Sequence, residues 1–370
     1  MFFDKNRILA VMETMRRPNG AFIASQSPGY QALWLRDTLY CALSYWYLNE
    51  YEKLKQGVWV VFDLLKKYRE KIKLRIASPI DITGGVIHAK YDADTLSEIT
   101  TDTYWGHHQL DALGLFLHIV ADLDFKNIRV IRDDQDVHTL ELIVMYLRSV
   151  EYWYQPDFGM WEECKIRHSS SVGAVVDGLT RIRNRRIVNI PDSLIRCGEE
   201  ALKNILPCES KDFCRYPHHN HDCDSAQLSL LWPYNVIANP MKADEVLSRI
   251  TTGHRTENGE TRPLTQKHGL NRYWGDDYYR STESRYRGIS AEWPMFKFWI
   301  SIVYSQKHDH EKALEWFCKG TETIMDDQIP EAYQNGKPND HTPLAWAHAI
   351  ALIAWTKLPE EVQKKVSDRH

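Results

Sequence analysis

Apolar residues recur at helical spacing along almost the whole chain, and this periodicity constrains the fold more than any other feature. Leu110, Leu113, Leu117 and Val120 form one stripe, and Leu140, Ile143, Val144 and Leu147 another; each would cover one face of a helix. Counting such stripes predicts about twelve helices, over 4–15, 37–50, 52–74, 107–122, 136–153, 170–184, 192–206, 224–238, 241–251, 290–307, 309–325 and 342–356. Alternating segments of strand character are nearly absent, although 122–136 is expected to hold an extra strand or turn. Pro233 falls inside the eighth helix and should kink or end it, because proline lacks the amide hydrogen that a helix interior requires.

The connections between these segments are unequal. Those leading into every second helix are long and rich in Gly, Pro, Trp, Asp and His, and function collects on such loops. They begin near residues 34, 105, 161, 223, 272 and 331, roughly 50–70 residues apart, which suits one antiparallel helix pair with its connections. Six such hairpins can close into a ring or stack as an open solenoid. A ring is expected because apolar helices occur at both ends of the sequence with no polar capping unit. The expectation is therefore an all-α (α/α)6 barrel, one domain over 1–370, with the second helix of each pair inside and all six long loops on one face.

A net charge of −4, with acidic and basic residues interspersed, argues against nucleic acid as a partner. Asp4, Lys5, Asn6 and Arg7 interrupt the N-terminal apolar residues, so neither a signal peptide nor a membrane anchor is expected, and the default is a cytoplasmic protein. Seven cysteines without framework spacing suit free thiols in a reducing compartment. Cys208, Cys214, His218, His219, His221 and Cys223 crowd one segment, but their spacing matches no zinc ribbon or finger; a polar loop without metal is expected there, and no cofactor.

Within the third long loop, Trp161 precedes two adjacent carboxylates, Glu162 and Glu163. An exposed acidic turn is the competing reading of that triplet. In a six-fold ring, however, Glu331 in the last long loop would face Glu162 across the cleft, and two carboxylates flanking a scissile bond are what glycoside hydrolysis needs. Glu163 is expected to raise the pKa of Glu162, with Glu331 near a helix N-terminus remaining ionised. Arg36 and Asp37 offer a charged donor and an acceptor for sugar hydroxyls. Aromatic residues make up 12% of the chain and gather in the same loops, at Trp34, Trp105, Trp153, Trp161, Trp274, Tyr278 and Tyr279, where flat rings suit the C–H faces of a pyranose.

Taken in order, these motifs resemble glycoside hydrolase family 15, the glucoamylases, and more closely the glucoamylase-like domain of the phosphorylase kinase alpha and beta subunits. The likeness is carried by Trp34 to Asp37, His88 to Tyr91, Trp105 to Asp111, Asp157 to Glu162, Ser170 to Gly173, Arg272-Tyr273 with Asp277 to Tyr279, Glu292 to Pro294, and Pro330 to Tyr333 followed by Pro343 to Trp346. The resemblance implies an inverting exo-acting α-glucosidase for short gluco-oligosaccharides, with Glu162 as general acid and Glu331 as general base. It also implies that Arg36 and Asp37 hold the terminal glucose, that Glu163 and Arg272 reach the next sugar, and that Trp34, Trp105, Gln109, Trp161, Asp277, Glu292 and Tyr333 complete the binding site. The phosphorylase kinase subunits are regulatory, so a catalytically idle sugar-binding module is the alternative. A third class, another six-hairpin enzyme such as a glycuronyl hydrolase or an epimerase, would carry different acidic and His motifs.

Overall fold

A computed structural model describes residues 3–78, 85–99, 101, 105–215, 219–255, 261–278 and 290–367. The described helices are α1 (Lys5–Glu13), α2 (Leu35–Tyr47), α3 (Tyr51–Lys67), α4 (Arg69–Ala77), α5 (Leu110–Phe125), α6 (Asp134–Ser149), α7 (Ser169–Asn184), α8 (Asp192–Ile205), α9 (Leu228–Leu231), α10 (Pro240–Thr251), α11 (Met295–Gln306), α12 (His310–Thr321), α13 (Ala345–Lys357) and α14 (Glu360–Ser367). Six of them form a closed ring by contact, α2 against α5, α5 against α7, α7 against α9, α9 against α11, α11 against α13, and α13 back against α2. Outside lie α1 on α13, α3 on α2, α6 on α3, α4 and α5, α8 on α7 and α12 on α11. The fold is the six-hairpin helical barrel expected from the periodicity.

Burial separates the two rings in the way their sequences require. An inner helix touches neighbours on every side and needs apolar residues all round, and α13 is buried without interruption from Ala345 to Ala354. An outer helix needs one apolar stripe: α8 buries Leu194, Ile195, Gly198, Leu202 and Ile205. The tightest inner contact uses small residues, since a Cβ on Gly114 of α5 would come within 2.4 Å of the Ala174 carbonyl carbon on α7. No larger residue could keep those two helices so close.

Two sequence expectations change, and a third is met by its turn alternative. The segment 52–74 is two helices, α3 and α4, divided at Tyr68, where φ −100° and ψ 18° leave the helical region. The segment 224–238 keeps only a 3₁₀ turn at Ser225–Gln227 followed by α9, because Asp224 caps the start and Pro233 prevents continuation. The segment 122–136 contains no strand; α5 runs to Phe125, Asn127 turns the chain with φ 59°, and Asp133 caps α6.

Short antiparallel pairs stitch the loop face. Strand β1 (Ala32–Trp34) pairs with β2 (Lys90–Asp92), β3 (Asn220–Asp224) with β6 (Tyr273–Trp274), β4 (His254–Arg255) with β5 (Thr261–Arg262), and β7 (Tyr333–Gln334) with β8 (Lys337–Pro338). The first pairing leads directly into α2 and so sets Trp34; the second ties the fourth long loop to the fifth. No described helix is long and apolar enough to cross a membrane.

Candidate active site

The N-terminal ends of the inner helices converge on a cleft of ≈ 380 Å³ lined by Trp34, Arg36, Asp37, Trp105, Trp161, Glu162, Glu163, Arg272 and Glu331, all anticipated from the sequence. Tyr278, anticipated among the loop aromatics, lines it too, and Tyr30, Trp293 and Trp346 join them. Gln109, Asp277, Glu292 and Tyr333 are not among the lining residues; they stand behind or beside the cleft. Tyr279 lies outside the described residues.

Glu162 sits in the turn before α7 with φ 67°, an uncommon conformation for a residue with a Cβ. The turn is wedged in place. Its amide donates to the Phe158 carbonyl at 3.1 Å, and a Cβ on Gly106 would stand 2.4 Å from the Glu162 carbonyl oxygen. Glu162 Oε2 accepts from the indoles of Trp105 at 2.5 Å and Trp34 at 3.4 Å, while Oε1 lies 3.3 Å from Arg36 Nη2. Burial raises the pKa of Glu162 above the ordinary carboxylate value, opposed by Arg36 and by hydrogen bonds from Gln109, Trp34 and Trp105. The raised pKa therefore comes from burial. Glu163, expected to be the cause, instead turns away to Arg272 Nη2 at 2.5 Å and to the Tyr273 hydroxyl.

Arg36 is buried in the first turn of α2 with its terminal nitrogens occupied. Nη1 donates to Gln109 Oε1 at 3.0 Å and Asp111 Oδ2 at 2.9 Å, and Nη2 to the Met160 carbonyl at 2.7 Å. Gln109, whose amide nitrogen donates to the Gly106 carbonyl at 2.8 Å, thus orients Arg36 and the Trp105 loop together. With Arg36 so engaged, Asp37 is the freer of the two for a ligand. Its pKa is pushed up to about 7, first by burial and then by Glu162 and Glu331, against the pull of Arg36.

Glu331 belongs to a loop well ahead of α13, not to a helix start. Three donors from separate segments meet it: Tyr30 Oη at 2.8 Å on Oε1, and Tyr278 Oη at 2.8 Å and Asn339 Nδ2 at 2.6 Å on Oε2. These bonds favour the carboxylate, yet burial outweighs them and raises its pKa as well. Ionisation of Glu331 is therefore disfavoured relative to water, contrary to expectation, and the carboxylate is the stronger base for it. Glu292 and Tyr333 explain their own place: their backbones pair at 2.9 and 2.8 Å, and Tyr333 Oη bonds the Thr323 carbonyl at 2.8 Å, so the two hold the Glu331 loop in position. Tyr30 and Asn339 carried no signal in the sequence, each being an isolated polar residue in an unremarkable loop.

The side of the cleft that carries Glu163 is built around Arg272. Asp276 holds it by two bonds, at 2.8 and 2.7 Å, and the rings of Trp161, Tyr278 and Trp293 surround the guanidinium at 5.4, 4.8 and 5.3 Å. Asp277 points elsewhere, to His219 Nε2 at 3.2 Å.

Outside the cleft, the expectation of seven free thiols fails at one pair. Cys164 and Cys214, 50 residues apart, form a disulfide, and the other five cysteines are free. Tertiary packing brings these two together: Arg167 grips Asp212 with bonds of 2.9 and 2.6 Å, and the Ser169 amide donates to the Glu209 carbonyl at 2.7 Å.

Residues 5–185 match the family described as glycosyl hydrolases family 15. The chain resembles that family. A glycosidase variant solved in complex with glucose superposes with a TM-score of 0.77 at 17% identity, covering 96% of each chain, and a glucoamylase from Saccharomycopsis fibuligera with 0.67 at 14% identity, covering 98% of this chain and 96% of that one. These likenesses establish a glucoamylase-like fold. Among curated proteins, a probable phosphorylase b kinase regulatory subunit alpha of Caenorhabditis elegans is 24% identical over 94% of this chain and 32% of its own length. The chain spans about a third of the length of the curated relatives it matches. It therefore combines a glucoamylase-like fold with sequence similarity to proteins named as regulatory subunits.

Proposed function

We propose that the cleft takes the non-reducing end of a short α-linked gluco-oligosaccharide, of the isomaltose or maltose type, and hydrolyses its terminal bond with inversion to release β-glucose. One observation carries this reading: two carboxylates, the partly buried Glu162 and the buried Glu331, line one cleft from different loops and hold separate sets of donors. Glu162, its pKa raised by burial, protonates the leaving oxygen; the indoles of Trp34 and Trp105 and the Arg36 guanidinium then stabilise the carboxylate left behind. Glu331, held by Tyr30, Tyr278 and Asn339, accepts a proton from the attacking water. Asp37 receives sugar hydroxyls, and Arg272 with Glu163 meets the second sugar. The molecule is read as one domain acting in the cytoplasm.

A second reading keeps the sugar and drops the chemistry. It is favoured by the regulatory subunits among the relatives, and in it glucoside binding would be communicated to a protein partner. Incubating the protein with maltose, isomaltose, trehalose, kojibiose, nigerose and maltotriose separates the two. Glucose release supports the hydrolase; calorimetric binding of one of these sugars without release supports the regulatory module and refutes the hydrolase.

A further inference from the structure

Beside the cleft, four buried side chains with metal-ligating atoms come together: Cys164, Cys214, His219 and His221, whose ligating atoms all lie within 4.8 Å of one another. Three come from the segment that sequence spacing treated as a polar loop. The fourth, Cys164, comes from the turn that carries Glu162 and Glu163, and that long-range contribution is why no zinc motif is legible in the chain.

The imidazole protons decide what the cluster can hold. His221 Nδ1 lies 3.1 Å from the buried Asp224 carboxylate, which fixes the proton on that nitrogen. Its other nitrogen, Nε2, is buried and has no hydrogen-bond partner among the described residues. His219 repeats the arrangement with its nitrogens exchanged: Nε2 meets Asp277 at 3.2 Å, and Nδ1 stands 3.7 Å from Cys164 Sγ and 3.2 Å from the Tyr273 hydroxyl. The Asp277 carboxylate fixes the proton on Nε2, so Nδ1 of the neutral ring carries the lone pair. Each histidine thus has a carboxylate behind one nitrogen and a lone pair on the other. Carboxylates placed behind in this way are the usual means of orienting histidine ligands on a metal. The 3.7 Å sulfur–nitrogen distance is also close to the ~3.5 Å expected between adjacent corners of a tetrahedron with Zn–S of ~2.3 Å and Zn–N of ~2.0 Å.

We propose that in the reduced protein Cys164, Cys214, His219 and His221 bind one Zn²⁺ tetrahedrally. Two thiolates and two imidazoles complete the coordination, which leaves no open position and makes the ion structural rather than catalytic. It pins the turn bearing Glu162 and Glu163 to the 208–224 segment. Disulfide and metal are mutually exclusive. Two molecules of a thiol reductant convert the Cys164–Cys214 disulfide to two thiols and are themselves joined as a disulfide; Zn²⁺ then displaces the two thiol protons.

The test counts metal and does not depend on the cleft being hydrolytic. Wild-type protein is reduced with a phosphine, incubated with zinc sulfate, freed of excess ion and analysed for zinc. One zinc per chain is expected, falling to background in Cys214→Ser and in His221→Ala and unchanged in Cys208→Ser. Because those variants can fail to fold, reduced wild-type protein is also loaded with Co²⁺, which should give the intense visible bands of a tetrahedral ion together with thiolate charge transfer. Reduced wild-type protein that takes up no stoichiometric zinc and shows no such bands overturns the site, leaving a disulfide alone. Zinc retained in folded Cys214→Ser and His221→Ala places the ion elsewhere and also overturns it.

Discussion

Replacing Glu331 with glutamine separates the chemistry of the cleft from its stability. The change is nearly isosteric, and the three surrounding donors can adjust: Tyr278 Oη and Asn339 Nδ2 can still donate to an amide oxygen at the Oε2 position, and the Tyr30 hydroxyl can accept from the new amide nitrogen at the Oε1 position. The fold should survive. A glutamine cannot take a proton from water, so turnover should fall by the ~10²–10⁴-fold that one proton-transfer group supplies, equivalent to roughly 2.7–5.4 kcal/mol at 1.36 kcal/mol per decade. Stability should move the opposite way. Burial raises the Glu331 pKa in the folded chain above the value of an unfolded glutamate. The native state therefore binds that proton more tightly than the unfolded state does. Its ionisation subtracts stability at all pH values above the unfolded pKa, most fully above the folded one, and subtracts none below the unfolded value of ~4.3. Glu331→Gln removes the penalty, so its thermal midpoint should exceed wild type at pH 8 and approach it near pH 4. Glucose release and thermal melts at the two pH values provide the assay. Near wild-type turnover in a folded variant refutes the base assignment, and a variant less stable than wild type at pH 8 refutes the argument from burial.

Proton NMR in the first minutes of hydrolysis should show β-glucose before α-glucose, and the reverse order would exclude inversion. Arg36→Met leaves Asp111 and Glu162 without their buried cation and should cost about 3–5 kcal/mol in urea unfolding, whereas a loss under 1 kcal/mol would mean that those groups are solvated. Gly106→Ala drives a Cβ against the Glu162 carbonyl oxygen and the Phe158 ring, and should lower turnover at least tenfold with a stability loss of ~1–3 kcal/mol; unchanged turnover would mean that the turn does not position the acid. Activity should decline on the acidic side at a pH above the ordinary carboxylate range, because burial raises the pKa of Glu331 and pushes Asp37 up to about 7; a pH profile flat down to 4 would contradict this.

Much of this molecule is legible one segment at a time. The stripes over α5 and α6, the stop at Pro233 and the six long loops are local consequences of helical period, proline chemistry and loop composition, so the barrel could be expected before any contact was known. Residue types in the loops likewise pointed to ten of the residues that line the cleft. What an individual residue does inside it is another matter, because protonation and positioning depend on partners far away in the chain. Glu162 is raised by burial beneath Trp34, Trp105 and Arg36 rather than by its neighbour Glu163, and Glu331 owes its setting to Tyr30 and Asn339, which no motif contains. Cys164 meets Cys214, His219 and His221 only once the ring has closed and the acid-bearing turn has packed against the 208–224 segment. Helical periodicity is a property of neighbouring residues and survives in the sequence; desolvation and the meeting of distant loops arise only when the chain is folded.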